Sequence, residues 1–378
     1  MNHPLTEFFA GHEAVQTEIA GRVPDTSDHR ACVRTVVDTY HPKRLTLRVD
    51  DVVVETATTK TFRLRRGRGE PLPPFLAGQY VAVFAANTTR ALAISSSPAR
   101  PDRYDLTVRR VAGGRVSNHL VDTLAVGDTV VTTGPMGTFH HNPLFHGDDV
   151  VFLAGGSGVA PAMSMIRDIV DHGLTRRFHL IYGSRDARDI IFEAELNSLV
   201  AEHPNIRVDH VILNPDDDWT GPSGLLSSDV INALAGPLNN RMVYVCGPQA
   251  LYPYALQQLS KLGHPRRRIR FEANGAPSDP ASQPHWPSDV DPAAHVTVTT
   301  AQGSFTTARN RPLLDALEDN GVRPESACRS GECSLCRVRI VTGEVHSAEE
   351  AMPRVTDSKW GYVHSCVAYP ISDVEIDI

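Results

Sequence analysis

A chain of 378 residues is too long for one hydrophobic core and suits two to four domains. Its 41% apolar and 21% charged residues are ordinary globular composition, and a formal net charge of −7 gives no basis for the concentrated basic face that nucleic-acid binding requires. The start, Met-Asn-His-Pro-Leu-Thr-Glu-Phe-Phe, has no basic region ahead of an apolar stretch, so no secretory signal is expected. No membrane span is expected either. The most apolar run, Val150 to Ile166, is broken by Gly155, Gly156, Ser157, Gly158 and Pro161. Cys32 and Cys246, left over from a cluster of four described below, are too few for a disulfide framework, which points to a reducing compartment, the cytoplasm.

Residues 1–45 read as a helical extension. Leu5, Phe8, His12, Val15 and Ile19 recur at helical spacing, and after Ser27 and Asp28 a second stripe carries Cys32, Val33, Val36, Val37 and Tyr40. Both stripes need burial, against the chain's own body or a second copy, with partner docking as the alternative. Residues 46–147 change to a period-two pattern, with Leu45, Leu47 and Val49 followed by Thr61-Phe62-x-Leu64, Tyr80 to Phe84 and Leu106 to Val108. Short strands between Gly and Pro turns suggest an antiparallel β-barrel. Its basic stretch, Arg63, Arg65, Arg66 and Arg68, reads as a solvated face. Residues 148–275 alternate strands (Val150–Leu153, Phe178–Tyr182, Arg207–Ile212, Met242–Cys246) with helices, as an open parallel α/β sheet does. Residues 276–293 hold five prolines within 275–293 and read as a semi-extended linker. The remainder, 294–378, is a small α+β unit and the acidic part of the chain, with twelve Asp and Glu against eight Lys and Arg. That charge is either a solvated surface or a docking face for a basic partner.

The chemistry is concentrated in four motifs. Gly155-Gly156-Ser157-Gly158-Val159-Ala160-Pro161 follows a buried-type strand and opens a helix, where missing Cβ atoms let a dinucleotide approach the backbone and the helix N-terminus favours its pyrophosphate. Cys246-Gly247-Pro248 is a second such turn at a strand's carboxyl end. In the barrel, Arg90 with Ser95-Ser96-Ser97, and then Gly113-Gly114-Arg-Val-Ser117, offer a cation, hydroxyls and exposed N–H groups to flavin phosphates. Near the end, Cys328, Cys333, Cys336 and Cys366 stand as Cys-x4-Cys-x2-Cys-x29-Cys, the ligand spacing of a plant-type [2Fe–2S] cluster, with Ser330 and Gly331 letting the loop wrap. Zinc sites favour paired knuckles, so the third cysteine five residues upstream argues for iron–sulfur. His140, His141 and His146 read as a polar interdomain loop rather than a metal site.

In order and spacing these motifs resemble the ferredoxin–NADP reductase superfamily, in the branch with a C-terminal plant-type ferredoxin domain of β-grasp fold, from about residue 46 to the end. The resemblance implies an NAD(P)H-dependent oxidoreductase in which electrons pass from NADH or NADPH through FAD to a [2Fe–2S] cluster and on to a protein acceptor, an oxygenase, a demethylase or another metalloprotein. It implies flavin contacts from Arg90, Leu92, Ala93, Ile94, Ser95, Thr107, Val108, Gly114, Val116 and Ser117. Dinucleotide contacts are implied for Gly155, Gly156, Gly158, Pro161, Ser184, Arg185, Gly247 and Pro248, with Cys246 and Glu272 at the nicotinamide–flavin contact. Arg185 would favour a 2′-phosphate and the neighbouring Asp186 would oppose it, which leaves a slight lean to NADH. Two departures stand out: the family's Arg-x-Tyr-Ser becomes Arg90-Ala-Leu92-Ala93, and an aromatic two residues after Glu272 is replaced by Asn274. They weaken the expected flavin contacts and keep open a rival reading, an electron-transfer or scaffold subunit with a degenerate flavin site.

Overall fold

The computed structural model describes residues 17, 18, 21, 29–40, 42–67, 70–272, 275–277, 279–283, 285–349 and 351–378. The chain divides into two compact units, residues 1–42 and 43–378. In the first, helix α1 (His29–Tyr40) leaves Val33, Val36 and Val37 exposed on the unit. Leu5, Phe8, His12, Val15, Ile19, Ser27 and Asp28 lie outside the described residues.

The second unit contains three larger sheets. Strands β1 (Leu45–Thr56), β2 (Thr59–Arg65), β3 (Tyr80–Ala85), β4 (Thr88–Ala93), β5 (Tyr104–Arg109) and β6 (Thr129–Thr132), with helix α2 (Arg115–Thr123), form an antiparallel sheet of order β4-β3-β6-β1-β2-β5. A bridge between Ile94 and Leu106 joins the chain beyond β4 to β5 and closes the barrel. Alternation explains its core: Leu45, Leu47 and Val49 point inward beside Phe62, Leu64, Val81 and Val83. The arginines of the basic stretch are paired rather than free, Arg63 with Asp51 at 2.7 Å and Arg65 with Asp50 and Asp102; Arg68 lies outside the described residues.

Next come β7 (Asp149–Gly155), α3 (Val159–Asp171), β8 (Arg177–Ser184), α4 (Glu193–Glu202), β9 (Ile206–Ile212), α5 (Ser228–Ala235), β10 (Met242–Cys246), α6 (Leu251–Lys261) and β11 (Ile269–Phe271). All strands are parallel in the order β11-β10-β7-β8-β9. Val150 to Ala154 are fully buried because apolar clusters cover both faces of the sheet. Strand order reverses at β7, so the ends of β7 and β10 form the switch point where such sheets bind ligands.

The last sheet, β13-β12-β18-β14-β16, is built from β12 (His295–Thr300), β13 (Gly303–Ala308), β14 (Arg337–Thr342), β16 (Tyr362–His364) and β18 (Val374–Asp377). Helix α7 (Leu313–Asp319) buries Leu313 and Leu317 on it. A two-stranded ribbon, β15 (Val345–Ser347) with β17 (Ala368–Pro370), completes the unit. The expected linker is pinned rather than free: Trp286 packs edge-on against His346, and Pro277 O accepts from the Tyr369 hydroxyl at 3.0 Å.

Candidate functional site

Strand β4 presents Arg90, Leu92 and Ala93 to a cleft of ≈ 420 Å³, with Thr107 and Val108 of β5 and Gly114, Val116 and Ser117 at the start of α2. The N-cap of α2 is Gly114, whose side-chain-free position leaves the first N–H groups open to an anion. A Cβ there would run into the Ser117 hydroxyl. Burial is the main influence holding the Arg90 guanidinium below its ordinary pKa, followed by Arg329 across the cleft. The desolvated Arg90 and the open helix start suit the phosphates of a flavin, while Arg329 is neutralised by ion pairs with Asp315 and Glu318. Ile94 and Ser95 do not line this cleft. Ile94 lies in the barrel core, and the Ser95 hydroxyl is held by Asp105 O at 3.1 Å and the Thr107 hydroxyl at 2.9 Å. The Ser95 and Ser96 carbonyls accept from Arg167 and Ser164 of α3, both at 2.8 Å, so this segment joins the barrel to the α/β sheet.

The same cleft receives Ser157, Ala160, Pro161, Cys246 and Glu272 from the α/β sheet. The Cys246 thiol donates to Glu272 Oε2 at 2.9 Å. Burial is the largest effect on Glu272 and pushes its carboxyl up to about 7; burial, reinforced by Glu272, pushes the Cys246 thiol well up, so it stays neutral. The glycines are needed for close approach of the two turns. A Cβ on Gly158 would overlap the Cys246 carbonyl, and one on Gly247 would press on Gly155 and Leu251. Pro248 bounds Gly155, and Gly156 adopts φ +54° with the Arg109 guanidinium beside it. Arg109 pairs with Asp189, whose carboxylate also accepts from the Thr56 and Thr58 hydroxyls, tying barrel to sheet. Ser184 is buried at the end of β8, whereas Arg185 is exposed, its carbonyl accepting from Asn214 N at 2.8 Å. Asn274 lies outside the described residues.

The cluster loop turns on left-handed residues Arg329, Gly331 and Ser334, so Arg329 rather than Ser330 makes the first turn. The amides of Ser330 and Cys333 both donate to Cys328 Sγ at 3.4 Å. His364 Nδ1 meets Gly331 O at 2.7 Å, and the Ser365 hydroxyl donates to Cys336 O at 2.7 Å, which brings in Cys366. Cys328 is within bonding range of the Cys333 and Cys366 thiols, and Cys336 of Cys366. All four are free, and Cys328, Cys336 and Cys366 are buried. Four converging thiols with amides aimed at a sulfur fit a [2Fe–2S] centre. The loop is held against the barrel by Glu332, which accepts from Thr138 N at 2.9 Å and Thr138 Oγ1 at 2.8 Å, while Arg323 donates to Asn87 O at 3.0 Å. Asp315, Glu318 and Arg329 thereby become a wall of the same cleft, which no single motif discloses. His141 and His146 are structural: His141 Nε2 meets Gly147 O at 2.7 Å and His146 Nδ1 the Tyr244 hydroxyl at 2.5 Å.

Three family models match the chain. An oxidoreductase FAD-binding domain matches residues 46–141, an oxidoreductase NAD-binding domain residues 152–257, and a 2Fe-2S iron-sulfur cluster binding domain residues 297–370. The chain is 30% identical to the ferredoxin reductase component of 3-ketosteroid-9-alpha-monooxygenase from Mycolicibacterium smegmatis, over 98% of both chains. It is 29% identical to the glycine betaine monooxygenase reductase subunit of Chromohalobacter salexigens, over 99% of this chain and all of the other. The solved structure of phthalate dioxygenase reductase superposes with a TM-score of 0.63 at 27% identity, covering 89% of this chain and 98% of that one. No helix among the described residues is long and apolar enough to cross a membrane. The chain therefore belongs to the ferredoxin–NADP reductase superfamily, as a ferredoxin reductase component of the oxygenase type: an oxidoreductase that passes electrons from NADH or NADPH through FAD to a [2Fe–2S] cluster.

Proposed function

We propose that this reductase delivers single electrons to a separate oxygenase or demethylase, with the barrel 46–147 holding FAD, residues 148–275 the nicotinamide dinucleotide, 276–293 joining, and 294–378 carrying the cluster. The observation that carries the reading is the shared cleft, walled by Arg90 and Gly114 of the barrel, Cys246 and Glu272 of the α/β sheet and Arg329 of the cluster loop. FAD held there would supply the conversion between paired electrons from the nicotinamide and single electrons for the cluster. Arg90 and the α2 N-terminus hold the flavin phosphates; Gly155, Gly156, Gly158 and Pro161 admit the dinucleotide to the switch point. At the cleft's inner wall Glu272, its carboxyl pushed up to about 7 chiefly by burial, accepts from the neutral Cys246 thiol. Cys246 and the four ligand cysteines are free, which suits the cytoplasm, and the exposed valines of α1 suit contact with a second copy of the chain.

The test uses cytochrome c as a one-electron acceptor. Wild-type protein carrying FAD and cluster is expected to reduce it with NADH or NADPH, and Cys333→Ser to lose that activity while its flavin is still bleached by the nicotinamide. Unchanged cytochrome c reduction in the variant would overturn the order of transfer. So would no reduction by the loaded wild type.

A further inference from the structure

The cluster-bearing part of the chain is acidic as a whole, with twelve Asp and Glu against eight Lys and Arg in 294–378, yet one stretch departs from that balance. Residues 351–361, Ala-Met-Pro-Arg-Val-Thr-Asp-Ser-Lys-Trp-Gly, hold two cations and one acid, and contain helix α8 (Val355–Lys359). The acid, Asp357, faces inward, where it is buried and paired with Arg337 at 3.1 Å. At 3.6 residues per turn, Val355 and Lys359 then stand on the outward side of the helix. Arg354 and Lys359 are exposed and have no acidic partner among the described residues. Val355, between them, is 75% exposed, and Trp360 beside them 71%. Large apolar side chains this open, rimmed by charge, have the composition of an interface rather than of a solvated surface.

This face adjoins the cluster loop. Met352 N donates to Gly331 O at 2.9 Å, and the same carbonyl meets His364 Nδ1 at 2.7 Å. Pro353, Ser358 and Tyr362 share a hollow of ≈ 160 Å³ with His364, which anchors α8 on the strand that leads to Cys366. The Met352 side chain is itself exposed, and so is Leu335, which lies between the ligands Cys333 and Cys336. All four apolar side chains stay open while Glu332 and Arg323 hold this part of the chain against the barrel. An electron carrier therefore leaves an apolar, cation-rimmed face free beside its cluster ligands.

We propose that Leu335, Met352, Val355 and Trp360, rimmed by Arg354 and Lys359, form the surface on which the electron acceptor docks, and that the acceptor presents an apolar face bordered by Asp and Glu. The inference rests on the electron-delivery reading of the chain. It reverses the partner charge that the composition of 294–378 suggests. Unpaired cations attract an acidic partner and speed its encounter, and the apolar centre holds it once water is expelled.

The test follows steady-state reduction of two one-electron acceptors, acidic cytochrome b5 and basic cytochrome c, at low and high ionic strength with protein carrying FAD and cluster. Wild type is expected to reduce cytochrome b5 faster as salt is lowered, and cytochrome c more slowly. Arg354→Glu combined with Lys359→Glu should cut kcat/KM for cytochrome b5 roughly ten-fold at low ionic strength and raise that for cytochrome c, with both differences shrinking at high salt. Trp360→Ala should lower kcat/KM for cytochrome b5 roughly ten-fold at either ionic strength, chiefly through KM. These side chains are exposed, so flavin bleaching and the electron paramagnetic resonance signal of the reduced cluster should match wild type in each variant. Rates with both cytochromes unmoved by the charge reversal, or moved in the same direction, would overturn the proposal. So would fewer chains per particle in Trp360→Ala, which would assign the face to a second copy. Failure of the wild type to reduce either cytochrome, although its cluster is reduced, would instead overturn the delivery reading.

Discussion

Replacing Glu272 by Gln should change how stability depends on pH, because Glu272 is a half-buried carboxyl beside a thiol. Its pKa rises from 4.5 to about 7, first through burial, with Glu332 adding to the rise and the Cys246 hydrogen bond opposing it. Below pH 4.5 the group is protonated both folded and unfolded and imposes no penalty. Between 4.5 and 7 the unfolded chain ionises while the folded chain keeps the proton, so stability falls as pH rises; above 7 the loss is complete. At 1.36 kcal/mol per unit the total is ~3 kcal/mol. Glu55 and Asp105, also raised mainly by burial, slope the same way. His146, lowered to about 4 mainly by burial, opposes them: its stabilisation is present above its ordinary value of 6.5 and lost as pH falls toward 4. The difference between wild type and Glu272→Gln removes these shared contributions. The assay is the temperature of flavin release, read by flavin fluorescence, at pH 5 and pH 8. Wild type should lose roughly 3–6 °C more than the variant over that interval, at about 1–2 °C per kcal/mol once the value for a mid-sized domain is scaled to the unit 43–378. Equal slopes in the two proteins would refute the assignment of the proton to Glu272.

Gly158→Ala should drive a methyl group into the Cys246 carbonyl, part the two turns and weaken NAD(P)H binding by at least roughly ten-fold, measured by isothermal titration; unchanged affinity would show that the turns have slack. Arg185→Ala should weaken NADPH more than NADH by ~1–3 kcal/mol if the exposed guanidinium reads a 2′-phosphate, and equal losses would move it to the shared part of the cofactor. Deleting residues 1–42 should lower the number of chains per particle, read from light scattering against the mass of the truncated chain, if Val33, Val36 and Val37 are covered by a second copy, since burying each large side chain contributes ~1.5–3 kcal/mol. An unchanged number of chains with unchanged melting temperature would remove the extension from assembly.

Local chemistry was legible in the sequence, and long-range placement was not. Three of the four cluster ligands sit in nine residues, and the dinucleotide glycines in four, so their spacing alone carried the chemistry. The same letters could not say that Gly158 and Gly247 are required by each other's turn, or that Ser95 spends its hydroxyl inside the barrel. Thr138 and Glu332 lie 194 residues apart, and their hydrogen bonds, which set the cluster loop against the flavin cleft, leave no periodic trace. Arg109 and Asp189 are likewise ordinary loop-edge charges until the barrel and sheet meet. The register of β3 on β4, which pairs Val81 with Leu92 and Tyr80 with Ala93, is not specified by composition and spacing.

The most direct measurement is low-temperature electron paramagnetic resonance of the anaerobic protein, loaded with FAD and cluster, after mixing with one equivalent of NADH and, separately, of NADPH. A reduced [2Fe–2S] signal accompanied by bleaching of the flavin is expected with at least one nicotinamide, and the cluster signal should be absent in Cys333→Ser although bleaching persists. A bleached flavin beside a cluster that stays silent in the wild type, or no bleaching with either nicotinamide, would contradict the passage of electrons through this chain.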